Sequence, residues 1–528
     1  MMYILQQIKP YRYLSIFIME NQFPSFPFIF TFLVFLFMVL RLWKNSKKNS
    51  APNLPPGPWK LPVIGSMHHL SGSLLPHVRL RNLANEYGPL MHLKLGEVTN
   101  IVVSSPETAK AIMKTHDHIF AQRPFLLAAN IMAYNSTDLA FAPYGDYWRQ
   151  MRKICTQEIL SAKRVLSFGL IREEEVSKFI RDLSSRAGST VNFSRMFNSV
   201  TYNIIQRVAI GKLWKGEEIV IPAFKKLIEA AGGFSLSDLY PSIKLLHKIS
   251  TTKFKLLRAH KETDKLFQNI IDEHRARKAS RAKSGAKNEE EDIIDVLLQA
   301  QSEEELEYPI TDDNIKAVIM DVLSGGTDTS ATTVVWAMSE LLKNPDVMKR
   351  VQTEVRQVFS KKGYVDEESI GELHYLKAVV KETMRLHPTG AVLTRECRED
   401  CVINGYDIPY KSRIIINAWA LGRDPDYWPE AERFNPDRFL NSSIDYKGKH
   451  FEFLPFGAGR RICPGILFGI SNVQFPLARL LYHFDWKLPN GMRPEDLDMN
   501  EKYGIAVRRA NDLQLIPIPC FPPQPQVK

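Results

Sequence analysis

The decapeptide Phe456-Gly-Ala-Gly-Arg-Arg-Ile-Cys-Pro-Gly465 places one cysteine, Cys463, in a glycine-rich loop with Arg461 two residues before it. An apolar run (Ile466, Leu467, Phe468, Ile470) follows at once and reads as a helix. A cysteine at a helix start is biased towards thiolate by the helix dipole and by free backbone N–H groups. Thiolate sulfur is a strong, soft metal ligand. Gly459 and Gly465 carry no side chains, so backbone can approach a flat macrocycle and the sulfur at close range. Arg461 is placed to meet an anionic group. The competing reading is a buried structural cysteine in a Gly/Pro turn.

Three further constellations lie upstream. A helix-forming run from Asp313 to Lys343 contains Ser324-Gly-Gly-Thr-Asp-Thr-Ser330. Adjacent glycines inside a helix cost about 1 kcal/mol each against alanine, so a local gain should offset them. One gain is an opened helix against which a planar group and dioxygen can lie, with Asp328 and Thr329 delivering protons. The plain reading is a glycine kink with its threonines bonded back to carbonyls. In Lys381-Glu-Thr-Met-Arg-Leu-His-Pro388, Glu382 and Arg385 share a helical face and can pair before Pro388 ends the helix. In Tyr147-Trp-Arg-Gln-Met-Arg152, Trp148 and Arg152 stand one turn apart and both can donate to a carboxylate.

Together these segments resemble the cytochrome P-450 superfamily. The pattern Phe-x-x-Gly-x-Arg-x-Cys-x-Gly is met by Phe456, Gly459, Arg461, Cys463 and Gly465. Gly-Gly-Thr-Asp-Thr is similar to the distal-helix motif, Glu382 and Arg385 to the Glu-x-x-Arg motif, and Trp148 with Arg152 to the Trp-x-x-x-Arg helix. The later Pro-Glu-Arg-Phe segment appears as Pro436-Asp-Arg-Phe439, with aspartate for glutamate and Arg438 kept. The resemblance implies a mainly helical haem domain with a small β portion, and haem b held by Cys463 as axial ligand. A single thiolate on haem iron pushes electron density towards O–O cleavage. It further implies that Trp148, Arg152 and, more weakly, Arg395 meet the haem propionates, and that Glu382, Arg385 and Arg438 form a structural triad. Electrons would come from NADPH through a membrane-bound cytochrome P-450 reductase, with cytochrome b5 as a possible second donor. Phrases such as Phe141-Ala-Pro-Tyr-Gly-Asp-Tyr-Trp148 are similar to the plant microsomal clan, nearest its terpenoid- and alkaloid-oxidising subfamily.

Outside the motifs, residues 26–43 read as a transmembrane anchor. Arg41, Lys44, Lys47 and Lys48 follow and put the downstream chain in the cytosol, hence on the endoplasmic reticulum surface. Residues 1–25 form an extension in which Met19 is a second candidate start. Residues 44–61 form a basic, proline-rich hinge, 62–519 the catalytic haem domain and 520–528 a tail. The charged stretch 275–291 reads as an exposed mobile loop. Five cysteines, few and odd in number, argue against a disulfide framework, and Cys397 and Cys401 read as packing residues. The net charge of +11 suits anionic lipid or an acidic redox protein. No nucleic-acid-binding module accompanies it.

Segments that line the pocket in similar proteins are apolar here: Phe125 to Ile131, Ala230 to Leu239, Val318 to Gly325, Gly390 to Leu393 and Gly504 to Val507. The expectation is a monooxygenase acting on a small apolar metabolite, a sesquiterpene or diterpene first and an indole alkaloid or phenolic second. The other classes are a haem-thiolate isomerase or lyase and a non-catalytic haem-binding membrane protein. Retention of Asp328 and Thr329 weighs against both.

Overall fold

The computed structural model describes Leu36 and residues 52–213, 235–284, 291–303 and 305–521. The chain divides into two units, residues 1–53 with 61–63, and residues 54–60 with 64–528. The second carries every element treated below. Apart from Leu36, the expected extension and anchor lie outside the described residues, as do 522–528 of the tail. Among the described residues no helix is long and apolar enough to cross a membrane.

The helices that frame the site are α1 (Asp146–Ile154), α2 (Gly169–Ser185), α3 (Phe193–Ile210), α4 (Thr251–Ser284), α5 (Asp312–Lys343), α6 (Pro345–Phe359), α7 (His374–Leu386) and α8 (Ile466–His483). Helix α5 starts one residue before the expected position. The Thr311 side chain accepts from the Asn314 N–H and the Asn314 side chain reaches back, a capping box that satisfies orphan donors. Asp312 and Asp313 in the first turn complement the dipole. The helix ends where Asn344 leads into Pro345, the first residue of α6. From Ser330 to Leu342 every residue is buried, Trp336, Ala337, Met338 and Leu341 fully, so α5 is a central element that packs on α3, α7 and α8.

The strands that bear on the site are β1 (Leu90–Leu95), β2 (Val98–Val103), β3 (Leu393–Glu396), β4 (Cys401–Ile403), β5 (Tyr406–Ile408) and β6 (Arg413–Ile416). The principal sheet runs β1-β2-β6-β3, with β2 parallel to β6 and the other neighbours antiparallel. Strands β4 and β5 form a hairpin closed by Asn404 and Gly405, both at positive φ, as a tight Asn-Gly turn requires.

One expectation is overturned. The stretch 275–291 is not a loop from its start, because α4 continues to Ser284, and 285–290 lie outside the described residues. The charges that looked solvated are paired instead. Arg275 binds Asp312 at 2.6 and 2.8 Å, and Arg277 binds Asp292 and Asp295 at 3.0 and 2.8 Å. Arginine, lysine and alanine are also good helix formers.

Candidate functional site

Cys463 lies in the turn between a short 3-10 segment, Gly459–Arg461, and α8, for which Gly465 is the N-cap residue. Its N–H donates to the Phe456 carbonyl at 3.0 Å, which folds the loop back on itself. Gly459 has φ +68°, and a Cβ there would stand 2.2 Å from the Met113 carbonyl oxygen. That position is therefore closed to any side chain by the backbone of residue 113, a constraint that does not depend on a cofactor. A Cβ on Gly465 would lie 4.0 Å from the Cys463 Sγ, ordinary contact. Burial pushes the Cys463 thiol up, against the opposing pull of the Gly465 N–H and the Arg152 guanidinium. The dipole alone does not make the thiolate. A bound metal would, since coordination deprotonates a thiol outright.

Helix α1 supplies Trp148 and Arg152. The Arg152 Nη2 donates to the Ile462 carbonyl at 2.6 Å, fastening α1 to the cysteine loop one residue before the sulfur. Trp148 is buried, and its single N–H donates to the Leu139 carbonyl at 3.0 Å. Its ring lies under the Arg461 guanidinium, 4.3 Å from centroid to Cζ, a cation–π contact. Arg461 is further held by the carbonyls of Ala121 at 2.8 Å, Leu139 at 3.3 Å and Ala142 at 2.5 Å.

Arg395 on β3 is buried and donates to the Thr394 carbonyl at 3.0 Å. A further residue that no motif announced joins it. Arg123, in Ala121-Gln-Arg-Pro124, donates to the carbonyls of Ala140, at 2.9 Å, and Thr394. Burial holds Arg123 down at about 10. Burial and the neighbouring Arg123 and Arg152 hold Arg461 down at about 9. Burial, Arg123 and Arg461 hold Arg395 well below the usual guanidinium value. Among the described residues none of Arg123, Arg152, Arg395 and Arg461 forms an ion pair. Buried cations in proteins are normally paired, so this cluster is built for anions supplied from outside the chain.

Residues 139–142 supply the Leu139, Ala140 and Ala142 carbonyls that hold Trp148, Arg123 and Arg461, and that strip is pinned from the other side by α5. The Asp321 carboxylate accepts from the Leu139 N–H at 2.7 Å and the Ala140 N–H at 3.3 Å, while Asp138 accepts from the Phe141 N–H at 3.1 Å. The Asp138 and Asp321 carboxyl groups meet across the strip and share a hydrogen bond. Burial raises both groups, Asp138 well above the usual carboxylate range and Asp321 to about 6. The sequence held one signal for Asp321, a carboxylate flanked by Val318, Ile319, Val322 and Leu323 on a helix.

The two glycines of α5 do not open the helix, which runs unbroken through them. Gly325 faces open space, whereas a Cβ on Gly326 would meet the Ile205 Cδ1 of α3 at 2.4 Å. One glycine therefore keeps a helix face clear and the other admits α3. The Thr329 Oγ1 donates to the Gly325 carbonyl at 2.6 Å, the back-bonded arrangement. Asp328, the residue before it, lies on the same turn.

Glu382 on α7 stands between two arginines. It accepts from the Arg385 Nε and Nη2 at 2.7 and 2.8 Å and from the Arg438 Nε at 3.1 Å, and from the Asn435 N–H at 2.8 Å. Glu382 and Arg385 are fully buried. The spare donors of Arg385 go to the carbonyls of Gly422, Ala431 and Arg433. Asp437, the residue that departs from the family pattern, turns outward to Arg350 at 2.7 Å and takes no part.

A cysteine in a glycine loop, an unpaired arginine cluster beside it and a cleared helix face form a set of complementary parts. The cytochrome P-450 family model matches residues 55–515. This chain belongs to the cytochrome P-450 family. As a member it is a haem-thiolate monooxygenase, and the donor set fits haem: one soft ligand for the iron and a cationic edge for its two propionates. Relatives similar over nearly the whole chain include desmethyl-deoxy-podophyllotoxin synthase of Sinopodophyllum hexandrum, 52% identical over 94% of this chain and 97% of its own. Premnaspirodiene oxygenase of Hyoscyamus muticus and 5-epiaristolochene 1,3-dihydroxylase of Nicotiana tabacum are each 51% identical over 95% of this chain and 99% of theirs. A zebrafish cytochrome P-450 solved with progesterone superposes with a TM-score of 0.72 at 24% identity. It covers 85% of this chain and 100% of that one, a likeness of fold. Plant cytochromes P-450 of this microsomal type work with a reductase on small apolar substrates.

Proposed function

We propose that this cytochrome P-450 inserts one oxygen atom into an apolar cyclic olefin of the terpenoid class. The observation that carries the reading is full-length identity of 51% to two oxygenases whose names specify olefins, premnaspirodiene and 5-epiaristolochene. The apolar segments expected to line the pocket support it, for Phe125, Leu236 and Ile505 there leave large apolar side chains exposed at 53%, 61% and 53%. Such a lining favours an apolar ligand. Equal similarity to desmethyl-deoxy-podophyllotoxin synthase supports a second reading, a phenolic substrate.

In the proposed assignment Cys463 would bind the haem iron, and Arg123, Arg152, Arg395 and Arg461 would take the propionates. Phe456, Gly459 and Gly465 shape the loop, and Trp148 acts as the support beneath Arg461. Haem held this way supplies the oxidising equivalents drawn from dioxygen and two electrons. The chain supplies the rest. The Thr329 hydroxyl, resting on the Gly325 carbonyl, turns outward by rotation about its C–O bond to present a proton at Oγ1, and the Asp328 carboxylate restores it from solvent. The face kept clear by Gly325 leaves room for substrate. The Glu382–Arg385–Arg438 cluster fixes the segment that leads to the cysteine loop. Residues 26–43 anchor the protein in the endoplasmic reticulum membrane through the hinge 44–61, with domain 62–519 in the cytosol facing NADPH–cytochrome P-450 reductase and, as an auxiliary, cytochrome b5.

The test is product analysis by mass spectrometry from microsomes carrying this chain and a reductase, fed NADPH with cyclic olefins and with phenolics. A product one oxygen heavier from an olefin supports the first reading. Turnover confined to phenolics replaces it with the second.

A further inference from the structure

Cys397 and Cys401 do more than fill space. Cys397 is fully buried at the end of β3 and Cys401 is half-exposed at the start of β4, with their sulfurs 3.8 Å apart. Both are fixed by backbone on either side. The Cys397 N–H donates to the Ser412 carbonyl at 2.9 Å and its carbonyl accepts from the Lys411 N–H at 2.9 Å. The intervening Arg398 N–H donates to the Ile119 carbonyl at 3.0 Å, and the Asp400 carboxylate accepts from the Tyr410 N–H at 2.7 Å. Cys401 pairs with Ile408 across the hairpin. A disulfide needs sulfurs about 2.05 Å apart, so closing the gap asks for less than 2 Å of side-chain movement while the backbone stays anchored.

The two thiols are not equivalent. The Cys397 sulfur donates to the Glu399 carbonyl at 2.9 Å and also meets the Cys401 sulfur, a contact that lowers the Cys401 thiol from its usual value. Burial and the partner push Cys397 the other way. Cys401, the sulfur that solvent reaches, is the nucleophile, and the fully buried Cys397 is its resolving partner. Among the remaining cysteines, burial pushes Cys155 up to about 12, and burial together with the Asp485 carboxylate raises Cys520. Among the described residues the metal-compatible cluster is His274 with Asp292 and Asp295, so the pair has no third ligand and does not make a tetrahedral zinc site.

We propose that Cys397 and Cys401 are a modification site oxidised by hydroperoxides, in which the Cys401 thiolate reacts first and Cys397 closes an intramolecular disulfide. The Cys401 sulfur attacks one oxygen of the hydroperoxide, the O–O bond breaks, and the other oxygen leaves with a proton as water or an alcohol. The resulting sulfenic acid is then displaced by the Cys397 sulfur, which forms the S–S bond and releases the hydroxyl as water. Two thiols are oxidised by two electrons and one hydroperoxide is reduced. The bond would fasten the hairpin to the end of β3, two residues from Arg395.

The haem-loaded full chain treated with stepwise hydrogen peroxide, alkylated and digested with trypsin provides the test. Trypsin cuts after Arg395, Arg398 and Lys411, so the disulfide joins peptides 396–398 and 399–411, which separate on reduction. The linked pair is expected to become the main form of these peptides before the exposed Cys520 is consumed. In Cys397→Ser the Cys401 sulfenic acid should be trapped by dimedone, and in Cys401→Ser Cys397 should stay alkylatable. Full alkylation of both residues at peroxide levels that oxidise Cys520 would overturn the proposal. So would Cys401 found linked only to Cys520 of another molecule.

Discussion

At the scale of single residues, burial and satisfaction decide what each charge does. Glu382 is the common, fully buried acceptor for two guanidinium groups, and removing it strands both. Breaking a buried pair from one side costs about 3–5 kcal/mol, against a total domain stability of about 5–15 kcal/mol. Glu382→Ala is therefore expected to lose haem incorporation, read as absence of the reduced carbon monoxide band in protein that is still expressed. A stable, haem-loaded Glu382→Ala protein would refute the structural assignment. The Asp138–Asp321 pair makes the opposite prediction in pH. Both carboxyl groups hold protons more tightly folded than unfolded, so their contribution is complete at low pH; that of Asp321 is lost as pH rises through about 6, and that of Asp138 declines over the same range and beyond it. Asp138→Asn keeps a donor for Asp321 and removes one of the titrations. Its thermal midpoint should fall less than that of the parent as pH rises through about 6, as followed by calorimetry. An unchanged pH slope would show that the pair does not carry the effect.

At the scale of elements, α5 answers why a helix spends two glycines. Gly326 is dictated by α3, because an added Cβ would meet Ile205 at 2.4 Å. Overpacking of this kind costs about 1–3 kcal/mol, more than the helix propensity gained by alanine. Gly326→Ala should lower the thermal midpoint, and adding Ile205→Val, which removes the clashing Cδ1, should restore most of it. If the double variant is no better than the single, contact with α3 is not the reason for this glycine. The neighbouring Gly325 meets nothing, so its conservation of space serves the open side of the helix.

At the scale of the molecule, the cysteine loop, the central helix and the Glu382–Arg385 pair were legible in the sequence because each compresses its requirement into a short run with fixed spacing. The run expected from Asp313 to Lys343 became α5, one residue longer at its start, where Thr311 caps it. The arginine cluster was only partly legible. Arg461 and Arg152 sit in motifs, but Arg123 lies alone, more than 270 residues from its Thr394 partner, and nothing local marks it. The strip 138–142, whose backbone carbonyls bind Arg123, Arg461 and Trp148, could not be read at all, since backbone acceptors leave no trace in side-chain identity. The mistaken loop at 275–291 failed differently. Charge runs look the same whether solvated or paired, and the partners of Arg275 and Arg277 come from Asp292, Asp295 and Asp312, beyond the local window.

The account stands on oxygen transfer from dioxygen at Cys463, and one isotope measurement addresses it. Microsomes with this chain, reductase, NADPH and an accepted olefin are run under oxygen-18-labelled dioxygen in ordinary water, beside Cys463→Ser. One labelled oxygen per product molecule, absent in the variant, is the predicted result. Product oxygen drawn from water, or a rearranged product without new oxygen, would contradict it.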